Sequence, residues 1–282
     1  MAKTLKAWQL QAQQALQAAG IEAPHQEARL LLCLVLAVQP AHLFAWPEQS
    51  LSKEQEARLQ QMLAQRLQGQ PLAWLLGEWE FWGLPLKVSP ATLIPRADSE
   101  ILVEQALAVC NLTNARVLDL GTGSGALALA LKKERPGWQV DGVDLQPAAV
   151  QLARENARCL ALDVRFWVSD WWQKVAPGQG YDLVISNPPY IHPQDPHLEQ
   201  GDLRFEPRSA LVGGQDGLEA YRQLLKPLAN HLQPSGWLLV EHGYDQAAAL
   251  KNLFQQAGLE SLACQKDYNG QPRVTLGRYP PA

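Results

Sequence analysis

The tetrapeptide Asn187-Pro188-Pro189-Tyr190 closes the stretch YDLVIS (181–186), which reads as a strand. Two successive prolines stiffen the backbone and leave carbonyls without local amide partners. The side-chain oxygen of Asn187 and the main-chain oxygen of Pro188 can then accept both hydrogens of a planar NH2 group. The Tyr190 ring can lie against the flat face of that group. An amide or aryl amine nitrogen needs such help, because its delocalised lone pair makes it a poor nucleophile. Two acceptors orient it and offset the positive charge that develops as it attacks. Upstream, Asp119-Leu120-Gly121-Thr122-Gly123-Ser124-Gly125 joins a second strand candidate, RVLDL (116–120), to an apolar helix. Glycines there permit a tight turn and the close approach of a ligand to the backbone. The next strand candidate, WQVDGVD (138–144), ends in Asp144, whose carboxylate can accept from both hydroxyls of a ribose. Gly121-x-Gly123-x-x-Ala126 formally fits the dinucleotide-binding pattern.

These groups require a scaffold that brings strand ends together. From Arg116 onward strand and helix patterns alternate. Further strand candidates are VRFWV (164–168), GWLLVEH (236–242) and RVTLGR (273–278), and helical stretches such as GALALALKKER and PAAVQLARENAR lie between. Alternation of this kind implies a mostly parallel sheet with helices on both faces. In such a sheet, ligands bind at the carboxyl ends of the strands, where both motifs fall. Residues 1–69 read differently, as a small helical bundle. Leu5, Trp8, Ala12, Ala15, Leu16 and Ala19 recur at helical spacing, Pro24 suits the first turn of a second helix, and Ser52-Lys53-Glu54-Gln55 resembles a capping box opening a third. Residues 70–92 read as a hairpin-like connector, and 93–282 as the α/β domain. The aperiodic segment from Ile191 to Gln215 is long for a loop in such a domain, which favours a functional role.

Bulk properties narrow the choice. The 282 residues are 47% hydrophobic and 18% charged, which excludes a disordered chain. The net charge is −4, divided as −1 over residues 1–80 and −3 over the rest, so neither part offers the basic field that duplex binding uses. The longest apolar run, Leu30–Val38, is too short to span a membrane and reads as a buried helix. The N-terminus lacks a signal-peptide core, and four dispersed cysteines match no metal spacing or disulfide framework, so a cytoplasmic protein without metal is expected. Ten tryptophans outnumber both tyrosines and phenylalanines.

The block Asp119–Gly125 also resembles motif I of class I S-adenosylmethionine methyltransferases; the glycine loop alone does not decide between that and a dinucleotide. Asn-Pro-Pro-Tyr is shared by the adenine amino methyltransferases of DNA and by the protein-glutamine methyltransferases. LIPRADSE (93–100), NPPYIHPQDPHLEQGDLRFEP (187–207), EHG (241–243) and RVTLGRY (273–279) are similar to stretches of the latter, and most of all to the release factor glutamine methyltransferase (HemK/PrmC) family. The resemblance covers nearly the whole chain, the N-terminal part by layout more than by motif. It implies a Rossmann-like class I methyltransferase with an antiparallel C-terminal strand and an N-terminal helical bundle that docks the release factor. The implied reaction is methyl transfer from S-adenosylmethionine to the glutamine amide of the Gly-Gly-Gln motif of class-1 peptide chain release factors.

Residue by residue, the resemblance implies that Gly121, Thr122, Gly123, Ser124 and Gly125 cradle the methionine end of the cofactor. Asp144 would bind the ribose, Trp171 would lie at the adenine, and Asn187 would touch both cofactor and substrate. Asn187, Pro188, Pro189 and Tyr190 would hold the glutamine amide, with Asp119 and Asp170 as lesser candidates. A monomer without a membrane or nucleic-acid partner is expected. Ala97 and Ser99 stand where the family usually has Pro and Thr; Ser99 keeps the hydroxyl. DNA methylation would call for a basic target-recognition region, which this chain lacks. A ribosomal-protein glutamine methyltransferase would differ in the LIPRADSE region, a nicotinamide dehydrogenase would leave the tetrapeptide unexplained, and a non-catalytic binding module would not need Asn187. The chain's own Gly213-Gly214-Gln215 reads as a turn.

Overall fold

The computed structural model describes residues 3–178 and 180–281. The chain divides at Gly77 into two units, Met1–Gly77 and Glu78–Ala282.

In the first unit the apolar spacing of the sequence becomes helix faces. The helices are α1 (Leu5–Ala18), α2 (Pro24–Leu36), α3 (Pro40–Ala45), α4 (Lys53–Leu67) and α5 (Leu72–Leu76). Leu5, Trp8, Ala12 and Leu16 of α1 are buried, as are Leu59, Met62 and Leu63 of α4. The capping box forms: Ser52 Oγ accepts from the Gln55 amide at 3.1 Å and Gln55 Oε1 from the Ser52 amide at 2.9 Å. Arg66 grips Glu27 with two hydrogen bonds, of 2.7 and 3.0 Å, which ties α4 to α2. The Leu30–Val38 run is less buried than expected. Only Leu31 and Leu32 are fully covered, since a continuous apolar run wraps every face of a helix and its neighbours cover one. The short helices α3 and α5 carry too few residues to show a helical period.

The second unit opens with a hairpin, β1 (Glu78–Phe81) and β2 (Leu84–Lys87). Its two-residue turn is Trp82-Gly83, both with positive φ (55° and 62°), the backbone that matches strand twist in a tight hairpin. The Trp82 amide donates to Glu100 at 2.8 Å and its indole N–H to Glu134 at 2.9 Å, which pins the turn onto this unit.

Then follow α6 (Glu100–Val109), β3 (Arg116–Leu120), α7 (Ala126–Glu134), β4 (Gln139–Asp144), α8 (Pro147–Leu160), β5 (Arg165–Val168) and β6 (Tyr181–Ser186). The chain closes with α9 (Arg208–Leu211), α10 (Glu219–Leu225), β7 (Leu232–Glu241), α11 (Ala247–Gln256), β8 (Glu260–Lys266) and β9 (Pro272–Arg278). Among the described residues the large sheet has seven strands, ordered β5-β4-β3-β6-β7-β9-β8. β9 runs antiparallel to both its neighbours and the other strands are parallel to one another. Strand alternation splits the core in two. Val117, Leu183, Ile185 and Leu239 pack with α6, α7 and α8 on one face. Leu118, Leu120, Val184, Leu238 and Val240 pack with α10 and α11 on the other. Strands covered on both faces account for the near-continuous apolar runs in the sequence. β8 carries no such run because it is an edge strand with mostly exposed or half-exposed side chains.

The sheet order reverses between β3 and β6, which are hydrogen-bonded neighbours. Their carboxyl ends carry the glycine loop and the Asn187–Tyr190 tetrapeptide, so the fold sets both motifs at its topological switch point.

Candidate active site

The turn after β3 is shaped by three glycines with positive φ: Gly121 (76°), Gly123 (55°) and Gly125 (86°). Gly121 and Thr122 donate their amides to Val143 O at 2.9 Å each, which folds the loop over the end of β4. The glycines serve different ends. A Cβ on Gly125 would stand 3.1–3.2 Å from Phe166, Ala153 and Leu129, so this position lets helix α7 pack closely. A Cβ on Gly121 would meet nothing within 4 Å, and one on Gly123 only Thr92 at 3.9 Å, so these two face open space. That space is a cavity of about 1070 Å³ including its mouth, lined by Gly121, Thr122, Gly123 and Ser124, by Asp144 and by Trp171. Asn187 and Pro189 stand on the same wall.

Asp144 works inside the protein as well as toward the cavity. Its Oδ2 accepts the Gly123 amide and its Oδ1 the Gln146 amide, both at 2.9 Å. One lone pair remains on each oxygen for two further donors. Burial pushes its carboxyl up, opposed by these backbone donors. Leu145 beside it is 56% exposed, an apolar surface on the cavity rim. Across the cavity, the Trp171 backbone is held in the left-handed region (φ 47°), and Ser169 Oγ donates to its carbonyl at 2.8 Å. Asp170 also lines the cavity and accepts from Gln173 Nε2 at 2.8 Å.

Asp119 is fully buried beneath the loop; its Oδ2 accepts from Thr122 Oγ1 at 2.6 Å, and its Oδ1 has no partner among the described residues. Burial pushes this carboxyl up to about 7 from an ordinary 3.8; the Thr122 bond works against that rise and the Asp144 charge adds to it. Between those values the folded chain binds more protons than the unfolded chain. Stability is therefore lost as pH rises through that window, and the effect is absent below it. Asp119→Asn should remove this slope. Its melting temperature is expected to gain on that of the wild type as pH rises from about 4 to about 7. A constant difference across the range would contradict it.

Asn187 stands where β6 ends, and its Nδ2 donates to Ser99 Oγ at 3.0 Å. Its Oδ1 is thereby left for a donor from the cavity. Pro188 is buried and off the cavity wall; among the described residues no hydrogen bond reaches its carbonyl. The Tyr190 side chain is half-buried, and its hydroxyl donates to Glu241 Oε1 at 3.3 Å. Asp119, Gly125 and Tyr190, like Pro188, thus stand behind the cavity lining, while the remaining sequence-derived candidates are on it.

Several lining residues carry weak sequence signals. Thr92 contributes a buried hydroxyl without a partner among the described residues. Arg96 lines the cavity and forms an ion pair with Glu206, a buried carboxylate that also accepts the Ile94 amide at 3.4 Å. Burial pushes Glu206 up and Arg96 pulls it down. This pair ties the LIPRADSE segment to Glu206 within the Ile191–Gln215 segment. The loop also closes on itself: Ile191 N donates to Leu211 O at 2.8 Å and Gly213 N to Ile191 O at 3.0 Å. A Cβ on Gly213 would stand 2.6 Å from Pro189 O and 2.7 Å from Tyr190 Cα, so the backbone of the tetrapeptide requires this glycine. Gln215 is exposed in the turn that follows.

Among the described residues, no cluster of His, Cys, Asp and Glu could hold a metal ion, and no helix is long and apolar enough to cross a membrane.

Seven strands in this order, one reversed near the edge, with a glycine loop and an acid-ended second strand, make the second unit a class I methyltransferase. Two solved structures share the fold. One is a methyltransferase from Pyrococcus furiosus (TM-score 0.55, 20% identical, covering 82% of this chain and 100% of that one). The other is the hMettl16 catalytic domain in complex with MAT2A 3′UTR hairpin 1 (TM-score 0.57, 15% identical, 83% of each chain). Residues 7–77 match the PrmC N-terminal domain model and residues 97–201 the methyltransferase small domain model. The release factor glutamine methyltransferase of Vibrio cholerae is 48% identical over 280 residues, 99% of this chain and 98% of its own. That of Escherichia coli is 46% identical over 259 residues, 92% and 93% of the two chains. The chain belongs to the release factor glutamine methyltransferase family.

Proposed function

We propose that this enzyme transfers the methyl group of S-adenosylmethionine to the side-chain amide nitrogen (N5) of the glutamine in the Gly-Gly-Gln motif of class-1 peptide chain release factors. The observation that carries this reading is Asn187. It stands at the switch point beside the glycine loop, its amide nitrogen occupied by Ser99 and its oxygen free for an NH2 donor.

The cavity fits a nucleoside-bearing cofactor. Gly121 and Gly123 present backbone without side chains, Asp144 has lone pairs left for the two ribose hydroxyls, and Trp171 offers a ring face for the adenine. The unpartnered Thr92 hydroxyl and the free Oδ1 of Asp119 are polar atoms still lacking partners at the loop end of the site. When bound, S-adenosylmethionine supplies an activated methyl carbon and a neutral leaving group.

The protein's own residues do the rest. Asn187 Oδ1, on the cavity wall, and the Pro188 carbonyl, behind the lining and without a partner among the described residues, take the two hydrogens of the glutamine amide and aim its nitrogen at the methyl carbon. The same two dipoles offset the charge that develops on nitrogen. Tyr190 backs the amide plane. The amide proton leaves late, to solvent water, so no dedicated base is required. The N-terminal helical unit docks the release factor, and the enzyme acts in the cytoplasm as a monomer, without nucleic acid.

Incubation with tritiated S-adenosylmethionine, purified release factor, its Gly-Gly-Gln Gln→Ala variant, ribosomal proteins and DNA tests the reading. Label is expected on the wild-type release factor alone. Equal label on the Gln→Ala variant, or label on DNA, would refute it.

A further inference from the structure

Behind Asn187 runs a hydrogen-bonded chain that starts at Ser99 on the cavity wall and leads into the interior. Ser99, in the 3₁₀ turn before α6, donates its hydroxyl to Glu241 Oε2 at 2.5 Å. Glu241 ends β7 and is 2% exposed; its Oε1 accepts from Tyr190 at 3.3 Å. One buried carboxylate thus holds groups 142 and 51 residues away in sequence.

We infer that Glu241, acting through Ser99, is a positioning residue that fixes the Asn187 amide with its oxygen toward the substrate. This inference rests on the amide-methylation reading above. A serine hydroxyl has one proton, and here it goes to Glu241. Ser99 Oγ can therefore meet Asn187 only as an acceptor, at 3.0 Å from Nδ2. The two ends of an asparagine amide are nearly identical in shape, and packing alone would hold either orientation. With the amide reversed, its NH2 would face the NH2 of the incoming glutamine, donor against donor. The relay removes that dead orientation. The same carboxylate steadies the Tyr190 ring, so the polar grip and the aromatic backing share one anchor.

The anchor must stay charged to accept from both hydroxyls. Burial works against this, while Arg273 favours the charged form. Arg273 is itself held by Asp267 at 2.9 Å and Asp98 at 3.6 Å. Burial, reinforced by the Glu241 charge, raises the Tyr190 phenol, which keeps it a donor.

The test compares Ser99→Thr with Ser99→Val, two side chains of one shape that differ in the hydroxyl. Turnover on purified release factor, affinity for S-adenosylmethionine and melting temperature are measured for both and for the wild type. Ser99→Thr should stay within about threefold of wild-type turnover, whereas Ser99→Val should lose about 10- to 100-fold. Cofactor affinity should be unchanged in both. Glu241→Gln, whose amide can donate to Ser99 and reverse the chain, should lose turnover to a similar extent. Equal turnover of the Thr and Val variants overturns the inference. So does a loss in the Val variant explained by weaker cofactor binding. Failure of the wild type to label the release factor glutamine would instead overturn the amide reading, whatever the Ser99 variants do.

Discussion

Asn187→Ala is expected to lower turnover on release factor by about 10²- to 10³-fold, the cost of removing one preorganised dipole from a transition state that develops charge. Asn187 supplies one of two acceptors for the substrate NH2, so the variant keeps the Pro188 carbonyl but loses the aim of the nitrogen. The loss should fall on kcat, because the orienting bond counts most as the nitrogen gains positive charge. Cofactor binding should weaken but remain measurable, since the glycine loop, Asp144 and Trp171 are untouched. Single-turnover methylation with saturating cofactor, beside an equilibrium binding measurement, separates the two. Unchanged turnover would show that the amide is held by other groups.

Asp144→Ala produces the second large effect, in the opposite parameter. Its carboxylate accepts the amides of Gly123 and Gln146, so removal frees the loop at the same time as it deletes the proposed ribose acceptor. Hydrogen bonds to a charged group are each worth about 1.5–3 kcal/mol. Loss of two toward the ribose therefore implies a cofactor Kd raised by about 10²-fold or more. Turnover at saturating cofactor should fall much less. Calorimetric titration with S-adenosylhomocysteine, which avoids the reaction, measures the change. A Kd within threefold of the wild type would place the ribose elsewhere in the cavity.

Both residues were legible in the sequence because the features that mark them are local. A glycine loop between a strand and a helix, an acid at the next strand end, and Asn-Pro-Pro-Tyr after a third strand each announce a backbone shape or a donor set within a few residues. Glu241 and Glu206 were not legible as site residues. An acid at the end of WLLVE or inside RFEP looks solvated until its partners appear, and those partners lie 142 and 110 residues away. The same limit explains the elements that sequence periodicity missed. β8 is an edge strand without an apolar alternation, and α3 and α5 span fewer than two turns.

The tryptophans divide along this line too. Trp8 and Trp138 are fully buried, Trp46 is 61% exposed, and Trp171 lines the cavity. Composition could not tell these fates apart, because an indole serves as core, surface or ring platform according to what folds against it.

By itself, then, the sequence determined which strands are buried, where the loop turns, and which atoms can cradle a nucleoside or an amide, since all of these follow from local chain chemistry and periodicity. The tertiary structure decided the rest. It placed β3 beside β6 so that the two motifs share one cavity. It packed Gly213 against the tetrapeptide backbone, and it brought Ser99 and Glu241 together behind Asn187. Those are contacts between distant segments, made when two faces of one sheet are covered at once, and no window along the chain contains them.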